Sequence, residues 1–412
     1  MKKFITEINA TVPYSTKKVT ISLNQQNLII TGANGSGKTA LISSIYSKLN
    51  NLIRHKQHDR LPDLNNTLIY WQQQRDNLPE GSSPYEHAQG QIEHLKKEIE
   101  KIEGSPTITM VDQLEFSAQI NNGSAIIELF PAVRQSFIQD ARSASGINYN
   151  TKELSNESFG SQIGNQLEQH LVNLYVRRSL SITDQSNTAL TEEISTWLSN
   201  FESNLKFLME DDSTTLKFDP DSFKVTIFQQ GKDPYAFQNL SSGYSSIFHV
   251  FSALLMRAAY LKTSPSNLNG VALIDEIDAH LHVALQRKIL PFLSNSFPEI
   301  QFISTTHSPF VLTSVSNSVI FDITKNEQTT DMSSFSYESV LDGLFNIPPT
   351  SDILQKKIIE MVRLTDEEPK NTTSIASLIN DILPNENYLD EESRFFFNKA
   401  KALLLKATSG SQ

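Results

Sequence analysis

The stretch Gly-Ala-Asn-Gly-Ser-Gly-Lys-Thr, residues 32–39, fits the phosphate-loop pattern Gly-x4-Gly-Lys-Ser/Thr without a mismatch. The apolar run at 27–31 precedes it and indicates a buried strand. Residues 40–46 follow with a helical pattern, whose positive N-terminal dipole would face bound phosphates. Strand, glycine turn and helix in this order predict a phosphate site at the end of a strand.

Each residue type in this loop has a physical use. The glycines let the backbone turn tightly with its N–H groups directed at phosphate oxygens. We expect Lys38 to reach the β- and γ-phosphates and the hydroxyl of Thr39 to bind Mg²⁺. The predicted phosphate-binding residues are Gly32, Asn34, Gly35, Ser36, Gly37, Lys38 and Thr39.

A second apolar run, Val-Ala-Leu-Ile at 271–274, ends in Asp275 and Glu276. Such a run is typical of a central parallel strand that is covered on both faces. Asp275 is predicted to hold Mg²⁺ directly or through water, and Glu276 to orient and deprotonate the attacking water. Together the two motifs predict an α/β protein that binds ATP or GTP with Mg²⁺ and hydrolyses it.

Composition limits the other classes of function. The 412 residues suffice for two or three domains with a sizeable core. The sequence has no run of 18 uncharged apolar residues and no signal-peptide pattern at its start, and it lacks cysteine. We therefore expect a cytoplasmic protein without a membrane partner. The formal net charge of −11 argues against a protein that coats nucleic acid over much of its surface.

Between the motifs the chain alternates helical and strand patterns. Ile92, Leu95, Ile99 and Ile102 recur at helical spacing and favour an amphipathic helix on the domain flank over a coiled coil. Strands are predicted at 107–116, 124–130, 216–218 and 223–228, the last two joined by a hairpin turn. Helices are predicted at 194–208, 354–364, 374–382 and 395–405.

Two spacings raise the question of a second metal site. Asp219 and Asp221 have the Asp-x-Asp spacing of two-metal nuclease chemistry, but the sequence offers no third carboxylate on a neighbouring strand, so we expect a turn. His280 and His282 would share a metal only in a strand. Their position at a predicted helix start favours packing or interface contacts instead.

The segment Leu-Ser-Ser-Gly-Tyr at 240–244 begins an apolar helix, and a helix start attracts anions. It stands between the phosphate loop and two further motifs, Leu-Ile-Asp-Glu-Ile-Asp-Ala-His-Leu-His and Ile-Ser-Thr-Thr-His-Ser-Pro. This order resembles the ABC-type ATPase heads shared by the SMC, RecF and overcoming-lysogenization-defect groups. Segment 240–244 resembles their signature Leu-Ser-Gly-Gly-Gln, with Ser242 and Tyr244 in place of the first Gly and the Gln.

The resemblance implies an ABC-type P-loop NTPase head with a mixed sheet, a helical insertion and a helical C-terminal region. The implied divisions are ATPase lobe I with the P-loop at 1–50 and 106–139, a helical arm at 51–105, a helical insertion at 140–212, ATPase lobe II at 213–322 and a helical C-terminal region at 323–412.

The resemblance also implies roles for individual residues. In this family the signature of one protomer closes over the ATP of its partner, so Ser241 and Gly243 would act in trans in a head-to-tail dimer. Asp278 would match the aspartate at that interface. His307 would match the switch histidine that contacts the γ-phosphate.

Phe-Pro-Ala-Val-Arg-Gln at 130–135 resembles the segment that ends a strand near the γ-phosphate in these ATPases. Gln135 is the predicted water- or Mg²⁺-contacting residue. Arg134 is the competing choice. The preference for ATP over GTP also follows from the resemblance.

Residues 271–312 are similar to a bacterial subgroup, the defence ATPases of Septu systems, of Septu-like retrons and of PARIS. This implies an ATP phosphohydrolase that assembles as dimers or higher homo-oligomers and controls a separate effector nuclease, of HNH or Toprim type, during phage infection. A phage protein would be the trigger, and nucleic acid would be contacted through the partner. Residues 323–412 contain no Asp-x-Asp and have helical patterns, so we expect the effector to be another chain, docked on 140–212 or the C-terminal helices.

Two alternatives remain open. One is a DNA-repair or chromosome-organising head that binds DNA directly, like RecF or a short SMC relative. The other is a scaffold that binds ATP tightly and rarely hydrolyses it. The altered signature favours this alternative.

Overall fold

The structure is a computed structural model that describes residues 3–53, 61–134, 136–145, 162–183, 188–345, 350–367 and 371–409. The chain forms two compact units, residues 1–335 and residues 336–412.

All strands of the described residues belong to the first unit. They are β1 (Ile5–Thr11), β2 (Lys18–Ser22), β3 (Asn27–Thr31), β4 (Thr107–Met110), β5 (Ala125–Phe130), β6 (Thr215–Asp219), β7 (Lys224–Phe228), β8 (Tyr235–Ala236), β9 (Asn269–Ile274), β10 (Ile300–Thr305), β11 (Ser318–Asp322) and β12 (Glu327–Thr330).

The helices occur in both units. The first unit contains α1 (Lys38–Ile53), α2 (Leu61–Asp76), α3 (Ser83–Glu103), α4 (Gln113–Asn121), α5 (Leu167–Thr183), α6 (Thr188–Met209), α7 (Ser242–Tyr260), α8 (Val283–Gln286), α9 (Ile289–Ser296) and α10 (Pro309–Leu312). The second contains α11 (Tyr337–Phe345), α12 (Asp352–Asp366), α13 (Thr372–Ile382) and α14 (Glu391–Ser409). Short 3-10 helices lie at Ile163–Gln166, Phe237–Asn239, Pro265–Asn267 and Leu383–Tyr388.

A six-stranded mixed sheet organises the first unit, with strand order β12-β11-β3-β10-β9-β5. The strands β11, β3, β10, β9 and β5 are parallel, and β12 is an antiparallel edge strand. Every residue of β3, β10 and β11 is buried, as the continuous apolar runs predict. Because parallel strands end at the same edge, the sheet brings the segments after β3, β9 and β10 together.

One face of this sheet packs on α1 and on a second, antiparallel sheet of order β2-β1-β4. Ile42 and Ile45 of α1 belong to the same apolar core as Ile8 of β1 and Ile30 of β3. Burial of each such side chain contributes about 1.5–3 kcal/mol. This core holds the start of α1 directly behind the end of β3.

A cluster of aromatic rings forms another part of the core, around α7. Phe251 of α7 contacts Phe292 of α9 with ring centroids 4.7 Å apart, and stacks on Phe201 of α6 at 5.8 Å. The apolar stripe along α6 therefore packs in the core. Its buried members are Ile194, Leu198, Phe201, Leu205, Leu208 and Met209.

The structure corrects two local predictions. Residues 113–116 belong to helix α4 rather than to a strand, because the side chain of Asp112 accepts a 2.8 Å hydrogen bond from the Glu115 N–H and caps the helix. The apolar stripe of α3 packs against α2, through Leu95 and Ile99 on Leu64, and not on the domain flank. Helices α2 and α3 thus form a helical hairpin.

The second unit is helical. Its core is formed by buried side chains of α12, α13 and α14, among them Met361, Ile375 and Phe397. The predicted boundary at 323 differs from the structural one at 336, because β12 pairs with β11 and keeps residues 327–330 in the central sheet. The division of the first unit into two ATPase lobes stays a prediction. In the described part of the chain, no helix is both long enough and apolar enough to cross a membrane.

Candidate nucleotide-binding site

The loop at 32–37 connects the end of β3 to the start of α1, as its sequence predicts. Gly35 and Gly37 have φ angles of 75° and 95°, which L residues with a side chain rarely adopt. A Cβ atom on Gly37 would lie 2.5 Å from Cγ1 of Val12. The loop therefore needs glycine at 37 for its backbone angle and for its close approach to the neighbouring turn.

The segment after β11 forms hydrogen bonds that hold this loop. The Ala33 N–H donates a 2.8 Å hydrogen bond to Oγ1 of Thr324. Nζ of Lys17 donates to the carbonyl oxygens of Ile323 and Thr324, the latter at 2.6 Å. These contacts fix Ala33 to the segment after β11, which Lys17 holds in turn.

Lys38 lies at the first position of α1, and its side chain folds back over the loop. Nζ donates 3.0 Å hydrogen bonds to the carbonyl oxygens of Gly32 and Ala33. Burial lowers the pKa of the Lys38 ammonium. The carboxylates that oppose this lowering are those of Glu276, Asp275, Asp278 and Asp322. The ammonium therefore faces the acidic residues at the end of β9.

Asp275 directly follows β9 and is only 3% exposed. Its carboxylate accepts a 2.6 Å hydrogen bond from the hydroxyl of Thr305, at the end of the adjacent strand β10. The same hydroxyl accepts a 2.7 Å hydrogen bond from the Glu276 N–H. Thr305 thus ties the two acidic residues to β10.

Glu276 has a positive φ of 44°, an angle that costs a non-glycine residue on the order of 1–3 kcal/mol. The turn directs the half-buried carboxyl side chain into the same cleft as the phosphate loop. A backbone angle of this cost persists only where surrounding contacts enforce it.

The guanidinium of Arg134 supplies part of that enforcement. Nη1 donates to the carbonyl oxygens of Pro131 at 3.1 Å and Asp275 at 2.6 Å. Nη2 donates to those of Glu276 at 2.8 Å and Ile277 at 3.0 Å. Arg134 is 7% exposed and binds the backbone carbonyls of the acidic motif inside the protein.

The choice between Gln135 and Arg134 as the residue that contacts water or Mg²⁺ stays a prediction, and the structure describes the surroundings of Arg134 alone. Arg134 does not belong to the described residues that line the cleft. Burial lowers its pKa to about 10 against the attraction of the nearby carboxylates. Gln135, the predicted Mg²⁺-contacting residue, lies outside the described residues.

His307 follows β10 and lines the cleft opposite the phosphate loop. Burial and the charge of Lys38 lower the pKa of His307, while Asp278 and Glu276 act in the opposite direction. The neighbouring Thr306 donates a 2.5 Å hydrogen bond to the Asp278 carboxylate. The end of β10 thus positions three consecutive side chains against the predicted site.

The cleft has a volume of about 950 Å³. It is lined by Pro13, Tyr14, Asn34, Gly35, Ser36, Gly37, Lys38, Thr39, Ala40, Ser43, Ser44, Ser47, Glu276 and His307. Predicted phosphate, base and switch residues therefore share one cavity. Gly32, Asp275 and Asp278 are not among the described residues that line it.

The signature segment lies elsewhere. Ser241 is the N-cap of α7 and is exposed, and neither Ser241 nor Gly243 is among the described residues that line the cleft. A Cβ on Gly243 would meet Cδ1 of Leu285 at 3.2 Å and the carbonyl oxygen of His280 at 3.3 Å. Within one chain, the signature and the phosphate loop do not form one site.

The two alternative metal sites find no support. Asp219 accepts hydrogen bonds from Ser222 and the Asp221 N–H, as in a capped turn. His282 precedes α8 as its N-cap, and His280 has a positive φ of 65° in the preceding turn. Among the described residues, no group of three or more His, Cys, Asp or Glu side chains is arranged to hold a metal.

Parts of the chain are similar to known proteins. Residues 136–313 match the family model AAA_21, described as AAA domain, putative AbiEii toxin, Type IV TA system. The retron Vc95 probable ATPase of Vibrio cholerae serotype O1 biovar El Tor is 42% identical over 99 residues, 23% of this chain and 19% of that protein. The Septu protein PtuA of Bacillus mycoides (strain KBAB4) is 38% identical over 93 residues, 22% of this chain and 13% of that protein.

Over these stretches the chain is similar to retron and Septu ATPases. The resemblance predicted from the sequence is thereby confirmed for these two groups. Similarity to PARIS ATPases stays a prediction. The chain spans less than a fifth of the length of either relative.

Solved SMC heads are distant structural neighbours. The SMC head domain from Thermotoga maritima is 13% identical, with a TM-score of 0.36 over 80% of this chain and 98% of that chain. No functional inference follows at that level of similarity.

Several residues of the site carry no sequence signal of their own. Thr305 and Thr306 lie in the quoted motif before His307, where alternation along the strand predicts burial but not their partners. Pro13 and Tyr14 line the cleft from the turn after β1, which no motif marks. Thr324 supports the phosphate loop only because β11 lies beside β3.

Proposed function

We propose that this chain binds ATP with Mg²⁺ in the cleft and hydrolyses the bond between the β- and γ-phosphates. The supporting observation is that Lys38, Thr39, Glu276 and His307, which come from distant parts of the chain, line one cavity. The names of the retron relatives support ATP as the nucleotide.

The residues present fit a magnesium triphosphate. Positive φ angles at Gly35 and Gly37 shape the loop into the turn that a phosphate needs, and Thr39 and Asp275 offer the oxygen ligands that Mg²⁺ prefers. Bound magnesium would neutralise charge on the phosphate oxygens. Lys38 would hold the β- and γ-phosphates as a point charge.

Glu276 would orient a water molecule and accept its proton as that water attacks the γ-phosphorus. The half-buried carboxylate projects into the cleft, and its backbone is held from both sides by Arg134 and Thr305. His307, on the same cleft, would contact the γ-phosphate as a neutral donor, because its lowered pKa keeps the imidazole uncharged near pH 7.

Two copies would sandwich the nucleotide. The exposed Ser241 and the start of α7 lie away from the cleft of their own chain, which supports action on a partner's ATP in a homodimer or higher homo-oligomer. Asp278, held by Thr306, would lie at that interface.

The biological role would be that of a subunit in bacterial anti-phage defence, with a separate HNH or Toprim effector nuclease and a phage trigger as partners. Similarity to Septu and retron proteins supports this role. Co-expression with a candidate effector nuclease of HNH or Toprim type is expected to give co-purification and a nuclease activity that changes when ATP turnover is blocked. ATP-dependent, salt-sensitive DNA binding by the chain alone would favour the SMC- or RecF-like alternative.

The variant Glu276→Gln tests the ATPase. Loss of a general base is expected to lower the turnover rate about 10²–10⁴-fold. Binding of labelled ATP is retained, because the amide keeps the size of the side chain. The matched control Glu327→Gln, on the exposed edge strand β12, is expected to hydrolyse ATP as the wild type does. Unchanged turnover in Glu276→Gln would contradict the role of Glu276, and a wild-type protein that ignores ATP would contradict the function.

The variant Ser241→Arg tests the sandwich. In mass photometry the Glu276→Gln protein is expected to form dimers with ATP, whereas Glu276→Gln carrying Ser241→Arg stays monomeric and still binds labelled ATP. Ser266→Arg, an exposed serine beyond the other end of α7, is the matched control. ATP-dependent dimers that persist in the Ser241→Arg protein would exclude this geometry.

A further inference from the structure

We propose that Arg134 is a positioning residue for ATP hydrolysis, which acts by fixing the backbone on both sides of Glu276. This inference rests on the proposed ATPase function. Arg134 touches neither the cleft nor the predicted phosphate ligands, so its effect would pass through the acidic motif.

Both peptide groups that flank Glu276 have their N–H and carbonyl groups hydrogen-bonded. The peptide before Glu276 has its carbonyl, on Asp275, bonded to Arg134 and its N–H bonded to the hydroxyl of Thr305. The peptide after Glu276 has its carbonyl bonded to Arg134 and its N–H, on Ile277, bonded to the Thr305 carbonyl at 2.9 Å. All four polar groups of the two flanking peptides are therefore held by two residues.

The geometry requires a guanidinium. Successive residues of an extended strand face opposite sides, yet the carbonyls of Asp275, Glu276 and Ile277 all converge on one group because Glu276 has a positive φ. The planar fork of arginine can serve several acceptors at fixed positions, whereas a lysine ammonium is a single point. Removing the fork would take this donor away from all three carbonyls, of which that of Glu276 still accepts from the Ala279 N–H at 2.9 Å, and would loosen the turn that directs Glu276.

The backbone before and after Arg134 is itself anchored by hydrogen bonds. The Asp275 N–H donates to the carbonyl of Phe130 at 2.9 Å, where β5 ends, just before Arg134. On its other side the Ser136 N–H donates a 3.1 Å hydrogen bond to Oγ of Ser245 in α7. The chain is thus anchored before and after Arg134, and a small displacement of a catalytic group lowers rates strongly.

The test compares Arg134→Met and Arg134→Lys with the wild type. Both are expected to lower kcat about 10–100-fold, as second-layer partners of catalytic groups do, while the Kd for labelled ATP changes less than about threefold. Lysine keeps the charge without the fork, so it is expected to restore little of kcat. It is also the milder variant should methionine prevent folding.

A double variant separates positioning from general destabilisation. Arg134→Met added to Glu276→Gln is expected to leave the residual turnover unchanged, because residues that act through one another are not additive. The matched control is Arg257→Met, since Arg257 is also buried and forms its ion pair with Glu128 away from the motif. It is expected to lower Tm but to keep kcat per folded molecule within about threefold of the wild type.

Three results would overturn the inference: a wild-type kcat in folded Arg134→Met or Arg134→Lys, a further drop in the double variant, or an equal loss in Arg257→Met. These results differ from failure of the proposed function. That failure would appear as absent turnover in the wild type or as unchanged turnover in Glu276→Gln.

Discussion

The hydroxyl of Thr305 donates a 2.6 Å hydrogen bond to the carboxylate of Asp275 across two adjacent parallel strands. It also accepts from the Glu276 N–H, so one hydroxyl serves both acidic residues. Thr305 is fully buried, which means that no water replaces these bonds when the hydroxyl is lost. The orientation of the predicted magnesium ligand therefore depends on Thr305, which is not among the described residues that line the cleft.

Replacement of Thr305 by valine keeps the shape and removes the hydroxyl. Because Asp275 and the Glu276 N–H lose a buried partner, we expect turnover to fall about 10–100-fold, with a higher Mg²⁺ concentration for half-maximal rate. Steady-state ATPase assays across a magnesium series measure both. Thr305→Ser, which keeps the hydroxyl, is expected to stay within about threefold of the wild type. Equal rates in the valine and serine variants would refute this.

The main framework of the site could be predicted from sequence because it depends on local chemistry. The glycine loop and the apolar runs at 27–31 and 271–274 determine a strand–turn–helix and a buried strand without reference to the rest of the chain. Parallel pairing then brings the strand ends together. Lys38 and Glu276 line one cleft for this reason.

The supporting contacts could not be predicted, because they depend on tertiary packing. From sequence, Arg134 is a competing choice for a residue near the γ-phosphate, whereas in the fold its guanidinium donates to four backbone carbonyls. The stripe at 92–99 carries no information about its partner, which is α2. Residues 327–330 are polar and lack a strand pattern, yet pairing with β11 makes them an edge strand.

Replacement of Gly37 by alanine tests the phosphate loop. A Cβ at this position would lie 2.5 Å from Val12 and would force a φ of 95° on an alanine. We expect the affinity for labelled ATP to fall at least about tenfold, since a shift of the loop costs charge-assisted hydrogen bonds of about 1.5–3 kcal/mol each.

Gly90→Ala is the matched control, because Gly90 lies inside helix α3 with open space around it. It is expected to leave ATP binding unchanged and to stabilise the α2–α3 hairpin by about 0.5–1 kcal/mol. Equal ATP affinities in the two alanine variants would show that the loop does not hold the nucleotide.

Replacement of Lys38 by alanine removes the ammonium that faces the acidic motif. We expect a loss of ATP affinity of about 10–100-fold, from the loss of charge-assisted contacts to phosphate. Fluorescence anisotropy with a labelled ATP measures it. Lys48→Ala, on the same helix with its ammonium on Ser105, is the matched control and is expected to bind ATP normally. Normal ATP affinity in Lys38→Ala would show that Lys38 does not hold the nucleotide.

His170 predicts a pH dependence of stability that is independent of the nucleotide site. Burial, with a smaller contribution from Arg177, lowers its pKa to about 4, and its ring contacts Trp197 with centroids 5.2 Å apart. In the unfolded chain the imidazole binds a proton below pH 6.5, but in the folded chain only near pH 4. The unfolded state therefore binds more protons between these values, and the free energy of unfolding falls as pH falls, by about 2 kcal/mol from pH 7 to pH 5.

Urea unfolding at the two pH values measures this change, with Trp197 fluorescence as the signal in a Trp71→Phe background. The variant His170→Gln is expected to lose most of the difference between pH 7 and pH 5, because glutamine does not titrate. Contributions from Glu168, whose pKa burial raises, are present in both proteins and cancel in the comparison. The same drop in stability in both proteins would mean that other groups cause the pH dependence, and that His170 stays neutral at no measurable cost.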